Sequence, residues 1–415
     1  MVSVDLLRHI DRYIGIPACW VLTVVRLIAH PFRRHVSLQA PKRILIIKLS
    51  EMGSTVLAYP AIEELRRQIP DAEIFFLVFN NNRSIIDALN ITRRDNIIAI
   101  NVSCLKNLVS SGWDAFKRLR HEHVDTTIDM DFFSRFSAIL AFLVCRGNRV
   151  GFHRFNDEGL FRGRLLTHKV LYSAHIHTSV AFMALAKALC NPDPNSRGKE
   201  FIRQEDFTIP HYLPSPTDIA DLKTKLKECG IDVIRKGMRI VLVNPNSSDL
   251  FPLRKWPFRH FISLSSQLLS ARNDIYVAIT GSESERQDAE DLVDAVQNPR
   301  CINLAGKTTF SELITLYTIS SLMITNDSGP AHFSALAQLP TIVLFGPETP
   351  ALYAPLGKDA ICLYSGFACS PCVSVHNAKA SPCTRSLCLE AISIGEVFQC
   401  SITMLGKTPE RESRA

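Results

Sequence analysis

The chain has 415 residues, 47% hydrophobic and 21% charged, which suits a soluble globular protein of two domains, each long enough to bury a core. A net charge of +7 and a pI near 8.8 fit anionic partners such as nucleotide phosphates or an acidic membrane surface, without selecting between them. No internal repeat, basic low-complexity tail or nucleic-acid motif is present, and the 12 cysteines are spread as reduced cytoplasmic thiols would be, unlike a secreted disulfide framework.

Residues 1–42 differ from the rest. The stretch 14–29 is apolar apart from Gly15, Pro17, Thr23 and Arg26, and is shorter than the roughly 20 residues that span a bilayer. Asp5 and Asp11 precede it and no small-x-small cleavage site follows closely, which argues against a signal peptide. The expectation is an interfacial amphipathic helix, with Trp20 and the aliphatics in lipid and Arg8, Arg12, Arg26, Arg33 and Arg34 at phosphate headgroups. A helix packed on the protein's own body is the alternative.

Residues 43–49 (R-I-L-I-I-K-L) predict a buried strand, followed by the loop 50–55 and a helix over 56–68. Gly53 lets the backbone come close to a ligand. Further strands are expected at 74–79, 97–100 and 124–128. The last ends in Asp129 and Asp131, at the carboxyl end of a strand, where α/β sheets place their ligands. Asp129 reads as a helix N-cap and Asp131 as a candidate for chemistry. An apolar helix over 136–145 and a strand from 148 follow. Residues 153–177 are rich in His and Arg, without metal spacing, and read as a basic loop able to grip phosphate or simply as a solvated one. A proline-rich connection, 191–216, leads to a charged helix over 217–229.

The second half opens with a strand at 239–243, then Ser247 and Ser248, then Arg254-Lys255-Trp256-Pro257. A strand at 275–280 ends in a Gly-Ser-Glu-Ser-Glu run containing Glu285. A loop at 303–308 precedes a helix over 312–319. Residues 322–345 form a strand-turn-helix-strand unit around Asn326-Asp327-Ser328-Gly329-Pro330. Ser328 or Asp327 is suited to cap the helix, Pro330 fits its first turn, and the free N–H groups make a place for phosphate. Cys369, Cys372, Cys383 and Cys388 cluster near the end with C-x2-C and C-x4-C spacings. They read as a structural zinc site or as reduced thiols. A helix is expected over 389–405, crossing back to the first domain.

The motif N-D-S-G-P-A-H at 326–332, with L-F-G-P at 344–347, resembles the donor-site signature of glycosyltransferase family 9, the bacterial heptosyltransferases of lipopolysaccharide assembly. The resemblance extends over most of the chain from residue 43. It implies an α/β GT-B fold, two Rossmann-like domains facing a cleft, here with the N-terminal amphipathic or membrane-associated segment 1–42. The expected divisions are an acceptor-side domain at 43–215, a linker helix at 216–237, a donor-binding domain at 238–388, and a C-terminal helix and tail at 389–415.

The resemblance also implies inverting, metal-independent transfer of a heptose-like sugar from a nucleotide diphosphate such as ADP-heptose, with no cofactor. The acceptor would be a lipopolysaccharide or lipid-linked saccharide at the cytoplasmic face of the inner membrane. Ser247, Ser248, Lys255, Glu285, Asp327, Ser328, Gly329 and His332 fall on donor-binding positions, and Gly53 and Ser54 on a loop near the acceptor. One departure matters. The family carries its presumed catalytic aspartate directly after the glycine, where this chain has Ser54, and a hydroxyl is no base at neutral pH. Asp131 and Glu51 are the carboxylates that remain, and the alternative is a non-catalytic, membrane-docked member that binds a nucleotide sugar or a partner.

Overall fold

Apolar runs too short for helices become central strands here, because a parallel sheet covered on both faces buries every residue of a strand. The computed structural model describes residues 4–29, 40–154, 160–191, 193, 201–232, 237–247, 251–375, 377 and 381–407. The chain divides into two compact units, Met1–Phe207 and Thr208–Ala415. The expected linker helix therefore lies inside the second unit.

The first unit begins with α1 (Val4–Tyr13) and α2 (Gly15–Ala29), nearly one helix with a break at Ile14. Pro17 has no N–H for the carbonyl of Tyr13, which accounts for the break. Then come β1 (Arg43–Ile47), α3 (Met52–Gln68), β2 (Glu73–Phe79), α4 (Arg83–Ala88), β3 (Ile97–Ile100), α5 (Leu105–His121), β4 (Thr126–Asp129), α6 (Arg135–Val144), β5 (Asn148–His153), β6 (His168–Leu171) and α7 (Thr178–Cys190). The six strands are parallel in the order β3-β2-β1-β4-β5-β6, with Ile47 opposite Leu77 on one side and Asp129 on the other. Leu45, Ile47, Phe75 and Leu77 share a core with Ala115 and Leu119 of α5 and Leu140, Ala141 and Val144 of α6. Pairing of α3 with α7 covers the other face, to which the alternate side chains Ile44, Ile46 and Phe76 point.

The N-terminal helix is docked on this unit along one side. The Asp11 carboxylate accepts from the backbone N–H groups of Arg135 and Phe136 at 2.8 and 2.9 Å, so a residue 124 positions away closes the start of α6. Thr23 Oγ1 accepts from Arg164 N at 2.9 Å. Gly163, at φ +67°, comes so close to α2 that an added Cβ would sit 2.7 Å from the Cys19 carbonyl. The packing on the protein's own body expected as the alternative is observed along one side, and the other side exposes Trp20, Val21, Val25, Leu27 and Ile28.

The second unit runs α8 (Pro216–Glu228), β7 (Arg239–Asn244), α9 (Phe258–Ala271), β8 (Ile275–Ile279), α10 (Arg286–Val296), β9 (Cys301–Asn303), α11 (Phe310–Ile319), β10 (Leu322–Asn326), α12 (Gly329–Leu336), β11 (Thr341–Phe345), α13 (Pro350–Tyr353), β12 (Ala360–Tyr364), α14 (Leu387–Glu390) and α15 (Ile394–Lys407). Its parallel order, β12-β11-β10-β7-β8-β9, repeats the first sheet's topology, with β7 and β10 in the places of β1 and β4. A capping box of Ser215 and Asp218 starts α8, and Lys225 ties it to Glu312 of α11 at 2.8 Å. The expected terminal helix is two helices. α15 packs on α9, β10 and β11, where Val397, Met404 and Leu405 enter the core of this unit.

Candidate active site

In a doubly wound sheet, ligands bind beyond the carboxyl ends of the strands where the strand order reverses. In the first unit that point lies between β1 and β4, and the chain places there the carboxylates named from sequence. Asp131 is buried, and its Oδ2 accepts from Leu49 N at 3.1 Å. Its Oδ1 faces the ammonium of Lys48 at 3.5 Å, and Lys48 is only 1% exposed. Burial raises the Asp131 pKa above the usual carboxylate range, against the opposing pull of Lys48. Lys48 was not singled out from sequence. The available signal was a lysine ending an apolar strand, since a buried lysine requires a partner.

Asp129 does not cap α6, as expected of it. Ser134 does, its hydroxyl accepting from Ser137 N at 3.3 Å. The Asp129 carboxylate instead bonds the buried Arg162 guanidinium, accepts from Ser137 Oγ at 2.8 Å and receives Asp131 N at 3.1 Å. Burial pushes the Arg162 pKa down to about 10. Arg162 is thus an internal strut and no part of a phosphate-gripping loop. Among the described residues of 153–177, β6 is a strand where a basic loop was expected, and His177 caps α7 by accepting from Ser179 N. His153 is pushed down to about 4 by burial, with Lys169, Arg154 and Arg164 adding to it.

Glu51 lies one strand-end away from Asp131, partly exposed, as the residue before α3. Its backbone is left-handed, φ 65° and ψ 81°. Phe133, two residues beyond Asp131, is also left-handed at φ 54°. Each such non-glycine residue stores roughly 1–3 kcal/mol, so strain flanks both candidate carboxylates. Gly53 and Ser54 are buried in the first turn of α3. The Ser54 hydroxyl reaches the Glu51 carbonyl at 2.9 Å and its carboxylate at 3.4 Å. A serine therefore donates to Glu51, where a second carboxylate would repel it. Close by, Phe132 stacks on Phe152 and Phe182 at 5.6 and 5.3 Å between centroids, an apolar wall beside the acidic pair.

The second unit has its reversal between β7 and β10. Asn326, which ends β10, holds this point together: Trp256 N donates to its Oδ1 at 2.9 Å, and its Nδ2 donates to Pro245 O at 2.8 Å. The loop after β7 is held again by Asn246, whose Nδ2 donates to Thr280 O at 3.3 Å. On this frame Ser247 is buried, and among the described residues its hydroxyl has no partner. Ser248 lies outside the described residues. The ammonium of Lys255 makes no ion pair among them.

Asp327 is buried, with Arg254 at 3.6 Å. Ser328 occupies the N-cap position of α12 but does not cap, because its hydroxyl turns back to Asn326 O at 3.2 Å. The first turn of α12 therefore keeps its N–H groups from side-chain capping. Gly329 opens that turn against the Phe333 ring, which a Cβ would meet at 3.0 Å, and His332 is buried one turn in. Glu285 closes a capping box, its Oε2 accepting from Ser282 N at 2.6 Å.

The cysteine segment folds under the end of β11, where Cys372 N donates to Pro347 O at 3.0 Å. Among the described residues no three His, Cys, Asp or Glu side chains, Cys369, Cys372, Cys383 and Cys388 included, are arranged to hold a metal ion.

Twin six-stranded parallel sheets of Rossmann-like topology are the architecture of a GT-B glycosyltransferase. Residues 113–381 match the family profile of glycosyltransferase family 9 (heptosyltransferase). The chain belongs to that family. It is 23% identical over 325 residues to the lipopolysaccharide core heptosyltransferase OpsX of Haemophilus influenzae, covering 76% of this chain and 82% of that one. A shorter match, 33% identical over 127 residues, joins it to lipooligosaccharide heptosyltransferase 2 of the same organism, 30% of this chain and 36% of that protein. Among solved structures, the ADP-heptose lipopolysaccharide heptosyltransferase II of Escherichia coli superposes with a TM-score of 0.68 at 18% identity, over 88% of this chain and 99% of the other. The E. coli heptosyltransferase WaaC with ADP superposes at 0.59 and 17% identity, over 87% and 99%.

Proposed function

We propose that the chain is an inverting, metal-independent glycosyltransferase that moves a heptose-like sugar from a nucleotide diphosphate to a lipopolysaccharide or lipid-linked saccharide. Glu51 and Asp131 are the candidate bases. The observation that carries the reading is the strained, partly exposed Glu51, whose carbonyl accepts from the Ser54 hydroxyl at 2.9 Å and whose carboxylate lies 3.4 Å from that hydroxyl. This supports a carboxylate that has moved three residues along the loop, away from the family's usual position. Exposure favours Glu51 as the group that meets the acceptor hydroxyl. Asp131, behind it, fixes Lys48 and the loop.

In this scheme the base takes the hydroxyl proton as the acceptor oxygen attacks the anomeric carbon opposite the diphosphate. The sugar–phosphate C–O bond breaks and the configuration inverts. The leaving diphosphate gathers negative charge, which in this reading Lys255, the buried Ser247 hydroxyl and the N–H groups at the start of α12 stabilise. The solved relative that carries ADP supports a nucleotide diphosphate in this role. Among the described residues no helix is long and apolar enough to cross a membrane. The exposed apolar side of α2 supports peripheral docking at the cytoplasmic face of the inner membrane.

Ser54 in place of an aspartate favours the second reading, a non-catalytic nucleotide-sugar binder. Calorimetry of the full chain against ADP-heptose and against UDP-, GDP- and dTDP-sugars, with Lys255→Ala as control, tests the donor site. A transfer assay then separates enzyme from binder. Binding of no donor would remove the donor-site reading. Binding without turnover would favour the binder.

A further inference from the structure

One face of the first sheet is covered by α5 and α6, which share a core with the strands, and α2 lies against α6, where Cys19 packs on Ala138. The outer sides of all three helices are apolar. On α5, Leu105, Val109 and Trp113 recur every four residues at 51%, 66% and 58% exposure. Residues at that spacing line one stripe of a helix. Phe136 and Leu143, seven apart, form the exposed stripe of α6. Large exposed apolar stripes on neighbouring helices mark a contact.

Charge identifies the contact. Along α2, α5 and α6 there is one carboxylate, Asp114, and it is tied to Lys117 at 3.2 Å. Lys106, Lys117 and Arg120 are exposed beside the α5 stripe. At the α2 side, Lys169 lies near Arg164 and Arg26, and among the described residues no carboxylate pairs with Arg164 or Lys169. An apolar plane rimmed by cations fits an anionic lipid surface, whereas two copies of it would set like charges against each other.

We propose that α5 is a second membrane-inserting element, its Leu105–Val109–Trp113 stripe entering the headgroup boundary of an anionic bilayer with Lys106 and Lys117 at the phosphates. The proposal rests on the membrane-docking reading above for its choice of surface and goes beyond it in assigning α5. Held at α2 and at α5, with α6 between them, the first domain lies flat on the lipid.

The chain has three tryptophans, Trp20, Trp113 and Trp256, and Trp256 is only 1% exposed, a constant background. Full-length Trp20→Phe and Trp113→Phe proteins are mixed with phosphatidylglycerol–phosphatidylethanolamine vesicles carrying brominated acyl chains. The expected result is a blue shift and quenching in both proteins, reporting Trp113 in the first and Trp20 in the second. Replacing Lys106 and Lys117 by Gln weakens vesicle partition roughly fivefold per lysine, with unchanged circular dichroism.

Quenching in Trp113→Phe but not in Trp20→Phe overturns the α5 assignment and leaves docking through the N-terminal helix. Quenching in neither overturns both. A blue shift of Trp113 that needs no vesicles and rises with protein concentration, alongside a dimer mass in sedimentation, also overturns it by making the stripe a contact between copies.

Discussion

Glu51→Gln removes a proton acceptor and leaves almost everything else in place. The features that start α3 at this point use the Glu51 backbone carbonyl, which accepts from Ser54 Oγ and Thr55 N, so the variant is expected to melt with the parent. Loss of a general base costs about 10²- to 10⁴-fold in rate, equivalent to roughly 3–5 kcal/mol of barrier. The assay is transfer from ADP-heptose to a lipopolysaccharide-type acceptor in the presence of vesicles, followed by ADP release and by product mass.

Ser54→Asp in the parent tests the same geometry from the other side. It brings a second carboxylate to about the separation now held by the Ser54 hydroxyl, 3.4 Å from Glu51 Oε2. Coulomb repulsion at that distance is ~1 kcal/mol in a water-like dielectric and ~5 kcal/mol at an effective dielectric of 20. The acid limb of kcat/KM is therefore expected to move to higher pH by about one unit or more. The double variant Glu51→Gln, Ser54→Asp restores a carboxylate one helical turn along and recovers part of the lost rate. If Glu51→Gln keeps more than about a tenth of the parent's kcat/KM, the reasoning fails, because a base is worth at least roughly a hundredfold.

Four further outcomes are expected. Asp131→Asn leaves the buried Lys48 ammonium with the Ser50 carbonyl but no counter-charge, and denaturant unfolding should show a loss of about 3–5 kcal/mol; an unchanged midpoint would mean the pair is not closed in solution. Lys255→Ala should weaken donor binding roughly 10- to 150-fold in calorimetry, the worth of a charge-assisted hydrogen bond of about 1.5–3 kcal/mol. Asn326→Ala leaves Trp256 N and Pro245 O without their partner and should cost about 1–3 kcal/mol together with donor affinity, read by thermal melts and titration. His153 titrates near 6.5 when unfolded and about 4 when folded, so as pH falls the unfolded chain takes up its proton first. Stability should therefore decline between pH 6.5 and 4, and His153→Gln should flatten that part of a melting-temperature profile.

The central strands were legible because their sequences are unmistakable: R-I-L-I-I at 43–47 and T-I-V-L-F at 341–345 are apolar after their first residue and end in polar or glycine-rich turns. Of the outer strands, β3 was legible at 97–100 and β6, β9 and β12 were not. β9 has only three residues, β12 is a half-exposed edge, and β6 lies among His and Arg residues that read as a loop. Candidate site residues were found where a motif carried them, as at 326–332. The pairings were missed, because Lys48 with Asp131 and Arg162 with Asp129 join positions 83 and 33 residues apart that only the sheet order brings together. The misplaced caps have a related cause. Composition says that Asp129 and Ser328 can cap a helix, but the Asp129 carboxylate is taken by a buried arginine, and the Ser328 hydroxyl is turned away from the helix to donate to the carbonyl of Asn326.

The N-terminal helix invites removal as a solubility problem, and Asp11 makes that removal costly in an unobvious way. Without Asp11, the first N–H groups of α6 lose their acceptor only a few residues after Asp131, and Arg135 loses the carboxylate that neutralises it at 2.9 Å. A shortened protein with improved handling would carry a fault at the entrance to its own site, and a poor turnover measured on it would be mistaken for a property of the parent.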